Sequence, residues 1–281
     1  MKIALYPNFE KNNALQTTLD VCDVLHDTGA EIYARESNKE YFADKNYVNI
    51  GKMADIARLC DIIVAIGGDG TILKSSRYAA PAGKPLLGIN TGRLGFMASL
   101  ERDELDGLHR LSDGDYTIEN RMMIDAEYIC GEEKQVFSAL NDVTAVRMFS
   151  RIADFTVSVD GKTVSSMRSD GVVFSTPTGS TAYALSAGGP IVEPAISCIE
   201  FAPVCPHSLW SRPMLISADH EITVSHNSDD VYFSVDGAAE IKFERGGRLV
   251  ITRSQQILKL INIDGDSFFD AVNYKLMRSL K

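Results

Sequence analysis

The chain has 281 residues, 45% hydrophobic and 23% charged, the balance of a soluble globular protein with one large domain or two ordinary ones. A formal net charge of −10 and an isoelectric point near 5.0 argue against nucleic acid or an anionic membrane as a broad-surface partner, but leave room for a small anion in a local basic pocket. Five cysteines with no C-x-x-C pair disfavour a disulfide framework or a structural zinc site and predict buried free thiols in a reducing compartment. The apolar start, residues 1–7, is too short for a signal peptide and no run approaches a membrane span, so the expected location is cytoplasmic.

Residues 2–6 read as a short apolar strand. Residues 10–27 carry Leu15, Leu19, Cys22 and Leu25 at near-helical spacing, with Gly29 as the stop. A second strand is expected over 30–34, a loop without clear period over 41–50, and a short helix over 53–59. The apolar run 62–66 then enters Gly67-Gly68-Asp69-Gly70-Thr71, followed by a helix over 71–78 and a strand over 85–90. This alternation predicts an α/β domain over 1–115, a Rossmann-like parallel sheet with flanking helices. After Asp115 the apolar period shortens to two. Phe155-Thr156-Val157-Ser158-Val159 before Asp160-Gly161 signals a hairpin, and further strands are expected at 171–175, 221–225, 231–235 and 248–252, with a helical piece after Thr181. Residues 116–281 therefore read as a β-rich, sandwich-like domain. Its tail, 267–280, places Phe268, Phe269, Val272, Leu276 and Leu280 on one side of a helix expected to pack back on the protein.

The glycine turn after 62–66 carries the most chemistry. Backbone N–H groups at such a strand-to-helix turn favour phosphate, and Thr71 offers a helix N-cap. A carboxylate in the middle, Asp69, is costly beside phosphate unless it binds a metal, accepts a proton or holds a hydroxyl. Lys74 and Arg93 could supply positive charge nearby. A second constellation runs from Arg168-Ser169-Asp170-Gly171 to Ser175-Thr176-Pro177-Thr178-Gly179-Ser180-Thr181-Ala182-Tyr183. A hydroxyl-rich, small-residue loop between apolar elements suits close approach of backbone to a polar ligand, and Asp170 suits a grip on ribose hydroxyls. Asn141-Asp142 alone is an ordinary strand end. Asp113, Asp160 and Asp264, each before glycine, read as turn residues. No H-E-x-x-H, G-x-S-x-G, Walker A or G-x-G-x-x-G pattern is present.

Gly67-Gly68-Asp69-Gly70-Thr71 resembles the signature shared by NAD kinases, diacylglycerol and sphingosine kinases, and phosphofructokinases. Asn141-Asp142 and Thr176–Tyr183, continued by Ala187-Gly188-Gly189-Pro190 and Pro206-His207-Ser208-Leu209, narrow the resemblance to the NAD kinase family over most of the chain. The resemblance implies an N-terminal α/β domain (1–115), a C-terminal β-rich NAD-binding domain (116–281), and an active site in the crevice between them. It implies phosphorylation of the 2′-hydroxyl of NAD's adenosine ribose, with ATP or polyphosphate as donor and Mg²⁺ carried by the nucleotide. It assigns Asp69 as proton acceptor, with Gly70 lining the same turn and Lys74 as a nucleotide contact. It also implies Phe96 as an apolar contact beside adenine, and Asn141 and Asp142 on the adenine end and its ribose. Arg151 and Arg168 come near the substrate and Asp170 falls on the nicotinamide ribose. Thr181, Ala182, Tyr183, Ala184, Leu185 and Ser186 form the dinucleotide loop, and Cys205 lines the pocket. A homodimer or homotetramer is the family expectation. Two departures are visible: Asp142 stands where many members carry Glu, and Ala238 where many carry a polar side chain. The rival readings are a lipid kinase, which would want an apolar groove that the sequence does not announce, and a non-catalytic dinucleotide sensor.

Overall fold

The computed structural model describes the chain except residues 93–94, 149–151, 209, 264, 266–267 and 279–281, and describes only the main chain of 274–278. The chain divides into two compact units, Met1–Asn120 with Gln256–Lys281, and Arg121–Gln255. The expected division at 115/116 differs from this one in the place of 256–281: Lys259 and Leu260 pair in parallel with Pro85 and Leu86, which returns that segment to the first unit.

In chain order the first unit holds β1 (Lys2–Pro7), α1 (Ala14–Asp27), β2 (Glu31–Arg35), β3 (Val48–Gly51), α2 (Met53–Leu59), β4 (Ile62–Gly67), α3 (Asp69–Ala82), β5 (Pro85–Asn90), β6 (Leu100–Glu101) and α4 (His109–Asp113). Strands β5, β4, β1, β2 and β3 lie side by side, all parallel. β1 and β4 are buried almost throughout, as expected for strands covered on both faces. Ile3, Leu5, Ile32, Val64, Ile66 and Leu87 pack with Val21, Cys22 and Leu25 of α1 to form its core.

Three local expectations are corrected here. α1 begins at Ala14 and not at 10, because Asn13 takes the left-handed conformation at φ 63°. The stretch read as loop contains β3 and the end of a 3₁₀ segment, Glu36–Phe42. Four residues at a sheet edge carry too little period to be read from sequence. α3 starts at Asp69 with Gly68 at its N-cap, so Thr71 lies inside the first turn instead of capping it; the helix then runs past Tyr78 through Pro81 to a left-handed Gly83.

The second unit takes in most of β7 (Thr117–Cys130), then β8 (Glu133–Ala139), β9 (Asp142–Arg147), β10 (Ala153–Val159), β11 (Lys162–Ser169), β12 (Gly171–Ser175), α5 (Tyr183–Ser186), β13 (Cys198–Val204), β14 (Met214–Ser217), β15 (Ile222–His226), β16 (Val231–Val235), β17 (Ile241–Lys242) and the start of β18 (Arg248–Asn262). One antiparallel sheet runs β14-β13-β12-β9-β16-β17; the other joins β11, β10, β15 and the first half of β18. Between them lies an aromatic-rich core with Phe155, Phe174, Phe201, Phe233 and Phe243. The expected hairpin is present: β10 and β11 meet at Asp160 (φ 47°) and Gly161 (φ 76°), consistent with the left-handed pair that Asp-Gly supplies most cheaply. α6 (Phe268–Arg278) forms the tail. Phe268 and Val272 are half-buried, but Phe269 is 56% exposed and so is not part of a covered face; the Leu276 side chain and Leu280 lie outside the described residues.

Candidate functional site

In the first unit, β4 delivers the chain to the glycine turn and α3 starts on Asp69. Two of the glycines there are required by packing. A Cβ on Gly67 would collide with the Thr71 side chain, and one on Gly95 would collide with the Asp69 carboxylate. The space left by Gly95 lets the loop close on Asp69: Phe96 N–H donates to Oδ2 at 2.9 Å and Met97 N–H to Oδ1 at 3.2 Å. The half-buried carboxylate is thus fixed in one rotamer at the first turn of a helix, where a negative charge suits the macrodipole. Phe96 reaches Asp69 through its main chain, a link that the resemblance did not suggest. Gly70 is exposed on the same turn. Arg93 lies outside the described residues.

Lys74 is exposed one turn further along α3 and lines a cleft of about 370 Å³ with Thr71, Arg35, Asn38, Tyr6 and Phe9. Thr71 Oγ1, Arg35 Nε and Asn38 Nδ2 are all buried without a hydrogen-bond partner among the described residues. Unpaired buried polar atoms are rare in native proteins and mark strain, a water or a ligand. The Arg35 guanidinium lies over the Tyr6 ring at 5.1 Å. Sequence reading missed Arg35 and Asn38 because neither belongs to a motif; the sheet brings the ends of β1 and β2 to α3.

In the second unit, Asn141 lies between β8 and β9 and Asp142 begins β9; they are 8% and 7% exposed. Asp236 organises them: its carboxylate accepts from the N–H groups of Leu140 (3.0 Å), Asn141 (2.7 Å) and Asp142 (3.2 Å). Asp236 also takes the left-handed conformation ahead of Gly237. It was not among the sequence candidates, although Asp-Gly directly after β16 was a usable signal. Asn141 Oδ1 is buried without a partner among the described residues. Asp142 accepts from the Thr144 hydroxyl at 3.1 Å. Burial, with the neighbouring Asp236 charge adding to it, pushes the Asp142 carboxyl up to about 6.

Ser175, Thr176 and Ser180 of the 175–181 loop are fully buried and spend their hydroxyls on the scaffold. Ser175 donates to the Asn141 carbonyl, Thr176 to the Leu140 carbonyl and Ser180 to the Pro177 carbonyl. Gly179 is needed because a Cβ would strike the Asn141 carbonyl. The loop is therefore riveted to 140–141, and α5 emerges from it. Thr181 donates to the Thr178 carbonyl, Ala184 is buried on Val173 and Ala202 and anchors the helix, Ala182 and Leu185 are half-buried, and Tyr183 and Ser186 are exposed. The Tyr183 hydroxyl is pushed up first by burial, then by Cys205, Asp142 and Asp170, which places those four groups in one neighbourhood. Cys205 is exposed at φ 46°, so the expectation of buried thiols holds for Cys22, Cys60 and Cys198 but not for Cys205. Asp170 is exposed, with its main chain tied to Val204 and Arg147. Arg168 pairs with Asp154 at 3.4 Å on an exposed strand face. Arg151 lies outside the described residues. Ala238 N–H closes a turn on the Val235 carbonyl. Among the described residues no group of three His, Cys, Asp or Glu is placed to hold a metal, and no helix is long and apolar enough to cross a membrane.

Two family models match, the ATP-NAD kinase N-terminal domain over residues 3–116 and the ATP-NAD kinase C-terminal domain over 140–263. The chain is 38% identical to an NAD kinase of Caldanaerobacter subterraneus subsp. tengcongensis, covering 98% of each, and 37% identical to one of Thermoanaerobacter sp. over the same shares. Its fold is that of the yeast NADH kinase complexed with NADH (TM-score 0.92, 23% identity, 98% of this chain and 87% of that one) and of an Archaeoglobus fulgidus NAD kinase in complex with ATP (0.76, 24%, 99% of both). With both halves matched in order and near-full-length relatives well above 30% identity, the chain belongs to the NAD kinase family.

Proposed function

We propose that this chain moves the γ-phosphoryl of ATP to the 2′-hydroxyl of NAD's adenosine ribose, making NADP, with Asp69 as the group that orients the hydroxyl and takes its proton. The observation that carries this role is the fixed, half-buried carboxylate at the start of α3, pinned by Phe96 and Met97 N–H where Gly95 leaves room for it. Phosphoryl transfer runs through a loose transition state, so positioning and charge neutralisation matter more than base strength. A carboxylate is a weak base toward an alcohol, and the proton leaves late, as the ribose oxygen bonds to phosphorus and the bridging oxygen departs with ADP. The cleft beside Thr71 and Lys74 suits the donor: two cations for phosphate, an aromatic lining for a base, and three buried polar atoms that lack partners. Mg²⁺ would arrive with ATP and offset the charge on its phosphates. On the acceptor side, Asn141, Asp142, Asp170 and the 181–186 loop would hold the dinucleotide, with Phe96 beside adenine, Cys205 and Ala238 along the pocket, and Arg151 and Arg168 as further contacts. In this reading the α/β unit that contains 1–115 carries the glycine turn, the β-rich part of 116–281 that forms the second unit carries the dinucleotide, and the protein is a cytoplasmic homodimer or homotetramer.

An acceptor-and-donor panel tests the assignment: NAD, NADH or diacylglycerol against Mg-ATP, other triphosphates or polyphosphate, read by NADP(H) formation and by phosphate transfer to lipid. NAD with Mg-ATP should give NADP. Turnover only with diacylglycerol, or dinucleotide binding without turnover from any donor, would overturn it.

A further inference from the structure

Glu200 is a buried acid that the proposed reaction does not use. It lies in the middle of β13, paired with Ser175 of β12 on one side and Leu215 of β14 on the other, and is 1% exposed. Among the described residues neither of its carboxyl oxygens has a hydrogen-bond partner. Such a group is costly in ionised form, because nothing replaces the water it gave up.

The side chain is wedged beneath Gly189. A Cβ on that glycine would collide with the Glu200 carboxyl and come within 3.0 Å of the Ala184 carbonyl. Gly189 N–H donates to that same carbonyl at 2.9 Å, and Gly188, left-handed at φ 88°, donates to the Leu185 carbonyl. These bonds close the end of α5 on itself, and Ala184 seats the segment on Val173 of β12 and Ala202 of β13. The Glu200 carboxyl therefore lies under the last turn of the segment that begins at Tyr183. The titratable groups nearest this arrangement are acids. Cys198, on its own strand, has a thiol pushed up by burial and then by Glu200. Asp142 belongs to the same cross-strand row through Ser175, and Tyr183 comes from α5.

We propose that Glu200 is a positioning residue: its neutral carboxyl seats the Tyr183–Gly189 segment, and its ionisation loosens that segment and weakens dinucleotide binding. The inference rests on the assignment of 181–186 to the dinucleotide. Burial pushes Glu200 up to about 7, so the neutral form prevails below neutrality and the charged form above it.

The test is NAD affinity by calorimetry, without donor, across pH 6 to 8 for the wild type and Glu200→Gln. Any dependence that Asp142 contributes is shared by both proteins; beyond it, the wild type should lose about tenfold more affinity than Glu200→Gln between pH 6 and 8, the ratio of charged to neutral carboxyl one unit above its titration point. In turnover the effect should fall on the KM for NAD, with kcat little changed. Identical pH profiles for the two proteins would overturn the proposal. A wild type that binds no NAD at any pH would instead sink the dinucleotide assignment. Should Glu200→Gln fail to fold, hydrogen exchange of 183–189 in the wild type decides. Corrected for intrinsic rates, protection should fall between pH 6 and 8, and unchanged protection would refute the idea.

Discussion

The turn after β4 and the turn before β9 both place an aspartate at the end of a buried strand, yet they hold it in opposite ways. Asp69 is half-buried, faces two N–H donors from the 96–97 loop, and starts a helix. Asp142 is buried beside a second carboxylate, Asp236, and is pushed up to about 6. An acid held in one orientation by fixed donors suits the positioning of a hydroxyl that gives up its proton late. An acid that is neutral in mild acid, with a buried amide oxygen next to it, suits hydrogen bonding to a neutral ligand edge. Residue type and strand-end position are the same in both; the surroundings separate the roles.

The sharpest way to break the comparison is Asp69→Asn. It keeps size and acceptor geometry at one oxygen but removes the proton acceptor, so kcat should fall about 10²–10⁴-fold. NAD affinity should stay near wild type and the melting temperature should fall by only a few degrees, since one of the two main-chain N–H groups at 96–97 loses its acceptor; near-normal turnover would remove Asp69 from its role. Next comes Asp236→Ala, which strips the acceptor from three main-chain N–H groups at 140–142. Unfolding in urea should show a loss of about 2–4 kcal/mol, together with weaker NAD binding. Asp236→Asn, which tolerates the left-handed backbone and keeps one acceptor oxygen, should lose less.

Asp142 sharpens the comparison through pH. Its folded value of about 6 exceeds the ordinary 3.8, so the folded state resists ionisation that the unfolded chain accepts freely. Its contribution to stability is therefore greatest below about pH 4, declines as pH rises toward 6, and is level beyond that. Asp142→Asn should match the wild type near pH 4 and exceed it at pH 7 by about 2–3 kcal/mol, while binding NAD less well. An Asn variant less stable than wild type at pH 7 would contradict the burial argument. The smallest effects belong to the exposed residues. Asp170→Ala should weaken NAD binding by about tenfold with little change in melting temperature, as expected for a hydrogen bond to a charged group. Arg168→Ala, which breaks an exposed ion pair, should change stability by less than about 1 kcal/mol.

What could be read in advance follows the range of the interactions. The β4 turn, the Asp160-Gly161 hairpin and the α2 span are set by neighbours in sequence, and their positions were legible. β18 was legible only to Thr252, because Ser254-Gln255-Gln256 interrupts the apolar alternation; the strand continues because its later residues find a parallel partner in β5. The hydroxyl-rich loop was legible as a motif, but not that Ser175 and Thr176 rivet it to 140–141 while Ser180 closes on Pro177, because that depends on what the folded chain brings opposite them.

Residue order by itself settled the alternating and the β-rich halves, the strand-to-helix glycine turn with its acid, and family membership, because period, turn chemistry and motif spacing are local properties. Tertiary structure alone decided that Gly95 makes room for Asp69, that Asp236 holds 140–142, that Arg35, Asn38 and Thr71 share one cleft, and that Glu200 lies beneath Gly189. Each joins residues far apart in the chain, and their environment, with the charge state it favours, exists only once packing has excluded water around them.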